Sequence, residues 1–325
     1  MKVLIADKFE SAGIDGIRSL GCEVAYEPGA GAEGLAVAIA RHAPQVLVVR
    51  STKVPAAALA SASGLTAIIR AGAGVDNIDV PAATARGIAV ANCPGTNSIA
   101  VAELVFAHLL ACDRRVVDQT IEMRAGRWNK KEFTTGARGL KGSTLGVIGL
   151  GAIGQAVVKR ALAFEMDIIG WDRFLSAKWA QAMGIRWGGS DREGMLAMLP
   201  ECDAVTIHVA LVPDTQGMAN AEFFAAMKPG AIFINTARGG VVDEPAMIEA
   251  ARAKKLRLGL DVHGNQPGQP QADFTPATAS LPAGALTHHC GASTDQAQRA
   301  VAHETVRLVR VLKETGRLEN RVNPG

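Results

Sequence analysis

The chain has 325 residues, long enough for two domains, and 48% of them are hydrophobic, enough to fill two cores. A net charge of +3 with no basic block or tail gives no push towards nucleic acid or an anionic membrane surface. The five cysteines (Cys22, Cys93, Cys112, Cys202, Cys290) are scattered without a C-x-x-C pair, which fits a reducing, cytoplasmic setting better than a disulfide framework.

Residues 1–7 read as a short strand, not a secretory leader, and no apolar run approaches the ~18 residues of a membrane span. Strand-like runs at 3–6, 46–49, 67–70 and 88–91 alternate with alanine-rich helical stretches, the pattern of a doubly wound parallel sheet. Residues 98–128 read as a long helix with a break, carrying Val101, Leu104, Val105, His108 and Leu109 on one stripe. Its length suits a spine between domains or subunits; the alternative is a core helix followed by a second short one. Residues 129–142 are polar and glycine-containing, and read as a loop.

The run Leu145-Gly146-Val147-Ile148-Gly149-Leu150-Gly151-Ala152-Ile153-Gly154 is the most specific local signal. An apolar strand precedes the glycines, residues 155–162 read as the helix after them, and a second buried strand over 166–171 ends at Asp172. That carboxylate stands eighteen positions past the last glycine, close to the ~20 expected of a residue that grips a ribose 2′-hydroxyl. Gly149 permits a tight turn, Gly151 lets the backbone approach a pyrophosphate, and Gly154 lets the helix pack on the strand, its first amides facing the phosphates. The alternative is a glycine-rich βα corner without ligand, but strand, helix and acid together predict a dinucleotide site. A carboxylate accepts from the 2′-hydroxyl and repels a 2′-phosphate, so NAD is expected over NADP; Arg173 beside Asp172 weakens that exclusion slightly.

Further strands are expected at 205–208, 231–235, 258–262 and 285–288. Residues 263–283, rich in Pro, Gly and Gln, form a long loop of the kind that tends to be functional. Ser293 or Thr294 caps a last helix with Ala297, Val301, Thr305, Leu308 and Leu312 on one face and Gly316 as its stop. This helix is expected to cross back to the first domain. The expected fold is α/β: a Rossmann NAD-binding domain, 99–291, inserted into a discontinuous flavodoxin-like substrate domain, 1–98 plus 292–325.

Arg238 and the pair His288–His289 follow apolar strands, where open parallel sheets present ligand-binding loops. A guanidinium there can hold a carboxylate bidentately and polarise its neighbouring carbonyl, although local pairing with Asp243 or Glu244 is the plainer reading. A histidine can take or return a hydroxyl proton while a hydride moves; pattern alone does not choose between His288 and His289. A metal site built from His263, His288, His289 and Cys290 is rejected, since adjacent strand side chains face opposite ways.

Nearly the whole chain resembles the D-isomer-specific 2-hydroxyacid dehydrogenase family, and within it the short 3-phosphoglycerate dehydrogenases. The resemblance rests on Arg70-Ala71-Gly72-Ala73-Gly74-Val75-Asp76-Asn77-Ile78-Asp79, on Asn97 with Val101-Ala102-Glu103-Leu104, on the glycine loop, on Asn235-Thr236-Ala237-Arg238-Gly239-Gly240-Val241-Val242-Asp243-Glu244, and on His289-Cys290-Gly291-Ala292-Ser293-Thr294. It implies catalytic roles for Arg238 and His289. It also implies a cofactor set of Gly149, Gly151, Ala152, Ile153, Gly154, Asp172 and Asp261, and a homodimer. The backbone at Ala73 and Gly74 would receive the substrate carboxylate, and Asn97 would act as a substrate or hinge residue unless it is a helix cap. Arg50 and Ser51 lie in a segment similar to one in the phosphoglycerate enzymes, and Lys130 and Lys131 resemble a basic loop. Together they imply a small-molecule anionic substrate, phosphorylated (such as 3-phosphoglycerate) or extended, although each charge alone reads as ordinary solvated surface.

Three departures stand out. His263 replaces the usual aromatic residue, His288 the usual Pro, and Gln266 the catalytic Glu. Gln266 is expected to orient His289 by accepting a hydrogen bond, without the charge that supports an imidazolium. That predicts weaker general-acid action in ketone reduction, with alcohol oxidation suffering less. A glutamine here also resembles NAD-dependent formate dehydrogenase. A second alternative is an NAD-responsive, corepressor-like binding protein with little turnover. The resemblance is to the forms of phosphoglycerate dehydrogenase without the regulatory extension of the longer ones, and no such extension is expected.

Overall fold

The computed structural model describes residues 1–268, 271–281 and 284–324. The chain divides into two compact units, Met1–Asn97 with Ala292–Gly325, and Ser98–Gly291.

The first unit is built on a five-stranded sheet in the order β2-β1-β3-β4-β5, with β1 Lys2–Ile5, β2 Glu23–Tyr26, β3 Val46–Val49, β4 Ala67–Arg70 and β5 Ala89–Asn92. Every pairing is parallel. This is the flavodoxin-like order, and helices cover both faces because parallel strands need crossovers. Leu4, Leu47, Ile68 and Val90 feed one core, while Val3, Ile5, Val46, Val48 and Ile69 feed the other. Strand β2 has no counterpart in the sequence reading. It is a half-exposed edge strand, so its residues lack the continuous apolar run that marks a central one.

The last helix, Asp295–Thr315, completes this unit. Thr294 caps it by accepting from the Ala297 amide at 3.1 Å, and Gly316 ends it with φ +71°. Its buried stripe includes Ala297, Val301, Thr305 and Leu308, and Ala302 lies against Gly13 of the helix Ser11–Ser19. Beyond it, Asn323 accepts from the Val90 amide at 2.8 Å and donates to Ile88 O, so the end of the chain is stitched to β5.

The second unit carries seven parallel strands in the order β12-β11-β10-β9-β6-β7-β8. They are β6 Thr144–Ile148, β7 Asp167–Trp171, β8 Arg186–Trp187, β9 Ala204–Ile207, β10 Ile232–Asn235, β11 Arg257–Leu260 and β12 Ala285–Leu286. The order reverses between β6 and β9, which is the Rossmann switch point, and ligands of such sheets bind outside the carboxyl ends of the strands there. One face packs Phe223, Phe224 and Phe233 edge to face at 5.1–5.9 Å. The other packs Leu145, Val147, Ile168 and Ile234 against Val105, Leu109 and Val157.

The expected long helix is two: Ser98–Arg114 and Val116–Arg124, broken at Arg115, which takes a left-handed φ of +49°. Residues 130–133, expected in a loop, form one helical turn capped by Asn129. The loop over 263–283 contains neither helix nor strand among its described residues; 269, 270, 282 and 283 lie outside them. No described helix is long and apolar enough to cross a membrane.

Candidate active site

The glycine loop joins β6 to the helix Ala152–Ala163. Gly149 has φ +90°, and a Cβ there would stand 2.9 Å from His208 C and O, so only glycine lets the turn cross the end of β9. A Cβ on Gly154 would overlap Gly149 O, whereas one on Gly151 would meet nothing within 4 Å. The helix start is therefore pressed onto the turn while the Gly151 backbone faces open space. That cradle fits a pyrophosphate, with the first amides of the helix available to it. Ala152 and Ile153 are the first two residues of that helix.

Asp172, 9% exposed, follows β7. Its Oδ2 accepts from the Leu150 amide at 2.8 Å, and its Oδ1 from the Phe174 and Leu175 amides at 2.8 and 3.1 Å. The carboxylate thus ties the glycine loop to the turn after β7; of its roughly four acceptor sites, one remains for a ligand. Arg173 pairs with Asp214 at 2.6 Å on the surface. His208, after β9, has Nε2 3.0 Å from Thr206 Oγ1, and burial pushes its imidazole down to about 3, so it is neutral.

After β10, the Asn235 side chain braces the next turn: its Oδ1 accepts from the Ala237 amide and its Nδ2 donates to Arg238 O, both at 2.9 Å. Arg238 donates to Ala237 O at 2.7 Å. A Cβ on Gly239 would strike His263 O, so the Arg238 turn lies directly against the loop after β11. Of the acidic neighbours, Asp243 caps the helix Glu244–Lys254, and Glu244 accepts from the Gly264 amide at 3.4 Å.

That β11 loop carries Gln266, whose Nε2 stands 2.6 Å from His289 Nδ1. Gln266 Oε1 accepts from the His263 amide at 3.2 Å, which orients the amide group. The contact is the reverse of the expected one: Gln266 donates and Nδ1 accepts. A neutral His289 so held carries its proton on Nε2, and an imidazolium would set one N–H against another. Alcohol oxidation, expected to suffer less, needs a neutral imidazole with a free Nε2 lone pair, which is the opposite tautomer from the one held here.

His289 is exposed and left-handed, φ +53°, a conformation that costs a non-glycine residue about 1–3 kcal/mol. Asp261 holds it there. The Asp261 carbonyl accepts from the His289 amide at 2.8 Å; Oδ1 accepts from Thr287 Oγ1 at 2.6 Å and the Cys290 amide at 2.8 Å; Oδ2 accepts from the Gly291 amide at 2.9 Å. These bonds also explain why β12 stops at Leu286. Asp261, expected among the cofactor-binding residues, is 1% exposed, with both carboxylate oxygens engaged inside the protein.

The candidates of the first unit line its own carboxyl edge. Asp7, which sequence reasoning passed over, accepts from the amides of Arg50, Ser51 and Thr52 at 2.6, 3.1 and 3.1 Å and from the Ser51 and Thr52 hydroxyls. An acid directly after the first strand was the available signal. Burial lowers the Arg50 pKa, opposed by Asp7 and Glu10. In the loop after β4, Ala73 O accepts from Asn92 Nδ2 at 2.5 Å, and the Arg70 guanidinium occupies the space that a Gly72 side chain would take, just before Gly74. Asn97 Oδ1 is buried and makes no hydrogen bond, so it is not a helix cap through that atom. Among the described residues no three His, Cys, Asp or Glu side chains group as metal ligands.

Residues 106–291 match the model of the D-isomer-specific 2-hydroxyacid dehydrogenase NAD-binding domain. The chain is 41% identical over 273 residues to a hydroxypyruvate reductase of Thermotoga maritima, covering 83% of this chain and 85% of that one. It is 39% identical over 300 residues to a D-3-phosphoglycerate dehydrogenase of Archaeoglobus fulgidus, covering 92% of this chain but 54% of that longer protein. A crystal structure of a Thermus thermophilus protein, 32% identical, superposes with a TM-score of 0.85 over 99% of this chain and all of the other. The chain belongs to the D-isomer-specific 2-hydroxyacid dehydrogenase family. Its second unit carries that family's NAD-binding domain, which agrees with the cradle at Gly149–Gly154.

Gly154→Ala is expected to push Gly149 out of its turn. Overpacking of this kind costs about 1–3 kcal/mol, so NADH affinity, read by fluorescence titration, falls at least several-fold and the thermal midpoint drops with it.

Proposed function

We propose that this protein is an NAD-dependent oxidoreductase that transfers a hydride between NAD(H) and a D-2-hydroxy acid or its 2-oxo form. The observation that carries the reading is the meeting of three strand ends. The Arg238 turn, the Gln266 loop and the His289 turn adjoin along one carboxyl edge, in the same unit as the dinucleotide cradle. When bound, the nicotinamide supplies or accepts the hydride. Arg238 holds the substrate carboxylate and polarises the adjoining carbonyl. His289 exchanges a proton with the substrate oxygen at Nε2. Gly149, Gly151, Ala152, Ile153 and Gly154 hold the pyrophosphate, and Asp172 accepts from a ribose hydroxyl. With Arg173 already paired to Asp214, little remains there to attract a 2′-phosphate, which favours NAD. The residues Arg50, Ser51, Ala73, Gly74 and Asn97 make the first unit the substrate-binding domain. The half-buried Arg50 and Arg70, which follow β3 and end β4, support a small anionic substrate.

Proton transfer asks one thing more of Gln266. For Nε2 to take a proton, or an imidazolium to form, the Gln266 amide turns so that Oε1 meets Nδ1–H and the bond to the His263 amide is released. One neutral hydrogen bond is worth about 1 kcal/mol. A carboxylate needs no such rotation, because both its oxygens accept.

The decisive assay runs 3-phosphoglycerate, hydroxypyruvate, glycerate, lactate and formate in both directions with NAD(H) and NADP(H). Turnover of a 2-hydroxy or 2-oxo acid with NAD(H) preferred is expected. Tight NADH binding without turnover of any of them refutes the reading and leaves a binding protein. In Gln266→Glu, the carboxylate favours the imidazolium, and such a partner raises a neighbouring pKa by about 1–3 units. The alkaline limb of the kcat profile for ketone reduction therefore moves to higher pH; an unmoved limb contradicts the role given to Gln266.

The helix Val116–Arg124 supports a homodimer. None of its residues is buried, and Val116, Val117, Ile121 and Met123, with Trp128 beyond it, expose 41–77% of their surface. Such a patch marks an association surface. Light scattering is expected to give twice the chain mass, and Ile121→Asp with Met123→Asp is expected to give the monomer.

A further inference from the structure

Two buried imidazoles behind the His289 turn have no part in the chemistry above. His108, 2% exposed, comes from the helix Ser98–Arg114, and His263, 7% exposed, from the loop after β11. Buried polar rings are unfavourable unless bonded. Each is bonded through Nε2, and to the same residue: His108 Nε2 lies 3.2 Å from Thr287 Oγ1, and His263 Nε2 lies 3.1 Å from Thr287 O, while His263 Nδ1 is buried without a hydrogen bond.

We propose that His108 and His263 are positioning residues for His289 that act through Thr287. The proton count fixes the direction of each bond. Thr287 Oγ1 gives its hydrogen to Asp261 Oδ1, an acceptor, so only lone pairs face His108 and the His108 Nε2–H donates. Burial, working against the Asp261 charge, keeps the His108 pKa below its ordinary value and the ring neutral. His263 Nε2–H likewise donates to the Thr287 carbonyl. Thr287 is thus held at both its hydroxyl and its carbonyl. It shares Asp261 Oδ1 with the Cys290 amide, while Oδ2 takes the Gly291 amide. His289 lies between these anchors in its left-handed conformation. His263 acts a second time, because its amide orients Gln266, whose Nε2 meets His289 Nδ1. Residue 263 therefore bears on both the backbone of His289, through its ring and Thr287, and the ring of His289, through its own amide and Gln266; an apolar side chain at 108 or an aromatic hydrocarbon at 263 loses the bond to Thr287.

The proposal rests on the reading that His289 moves the proton, and its test keeps the two apart. His108→Leu and His263→Phe are expected to lower kcat on the order of tenfold, since small misplacements of a reacting group are costly. KM and the NADH Kd should stay within about twofold of the parent values by the same logic. His108→Gln, which restores an N–H donor near Nε2, should recover most of the loss. Thr287→Val against Thr287→Ser asks the same question if the His108 variants do not fold. The ring 15N signals of His289 in the NADH complex should shift in His108→Leu and return in His108→Gln. An unchanged kcat, equal losses in the Leu and Gln variants, or a loss tracked by the thermal midpoint and NADH affinity overturns the proposal. If the parent protein turns over none of the panel, hydride transfer falls, and the His289 signals alone decide: shifted and restored upholds positioning, unmoved rejects it.

Discussion

Parallel strands can be joined only by crossovers, and this constraint organises both units. Each connection returns to the opposite end of the sheet before the next strand starts, so all the loops after strands gather along one edge. In the second unit that edge collects the glycine turn after β6, Asp172 after β7, His208 after β9, Arg238 after β10, Gln266 after β11 and His289 after β12. In the first unit it collects Asp7, Arg50 and the Gly72–Gly74 loop. Residues far apart in sequence become neighbours without any one loop having to reach across the fold.

On that edge, carboxylates do the local ordering. Asp7, Asp172 and Asp261 each follow a strand, and each satisfies several backbone amides of a turn at once. A hydrogen bond to an ionised acceptor is roughly twice as strong as a neutral one, which is how Asp261 sustains the unfavourable backbone of His289. The same logic separates Asp172 from Asp261. Asp172 keeps an acceptor site beside the glycine turn, whereas Asp261 has turned inward to hold residues 287–291. The Asp261 carboxylate is spent on Thr287 and on the Cys290 and Gly291 amides, His108 is neutral, and the partner of His289 Nδ1 is an amide. The acid–base behaviour of His289 is therefore governed by tautomer and hydrogen-bond direction, with no ion pair to Gln266.

Much of this was legible from residue order. Central strands announce themselves as apolar runs because both faces of a parallel sheet are covered, and β3 and β4 have the bounds the runs indicated. The glycine spacing, Asp172 and the Thr294 and Gly316 caps depend on residues close in sequence. The edge strands β2 and β8 were not legible, since half-exposed strands carry mixed side chains. A break in the helix after Ser98 was expected but not its position at Arg115, where a residue with no special backbone preference turns left-handed.

By itself, then, the sequence determined the two parallel-sheet units and the dinucleotide turn, through local periodicity and short-range spacing, and it singled out Arg238, Gln266 and His289 as candidates through the resemblance their segments carry. Tertiary structure decided what Gln266 does to His289, that Asp261 serves the His289 turn, and that His108 and His263 converge on Thr287. These depend on donor and acceptor directions between groups 23 to 179 positions apart, and no one-dimensional pattern encodes which atom of an amide or imidazole faces its neighbour.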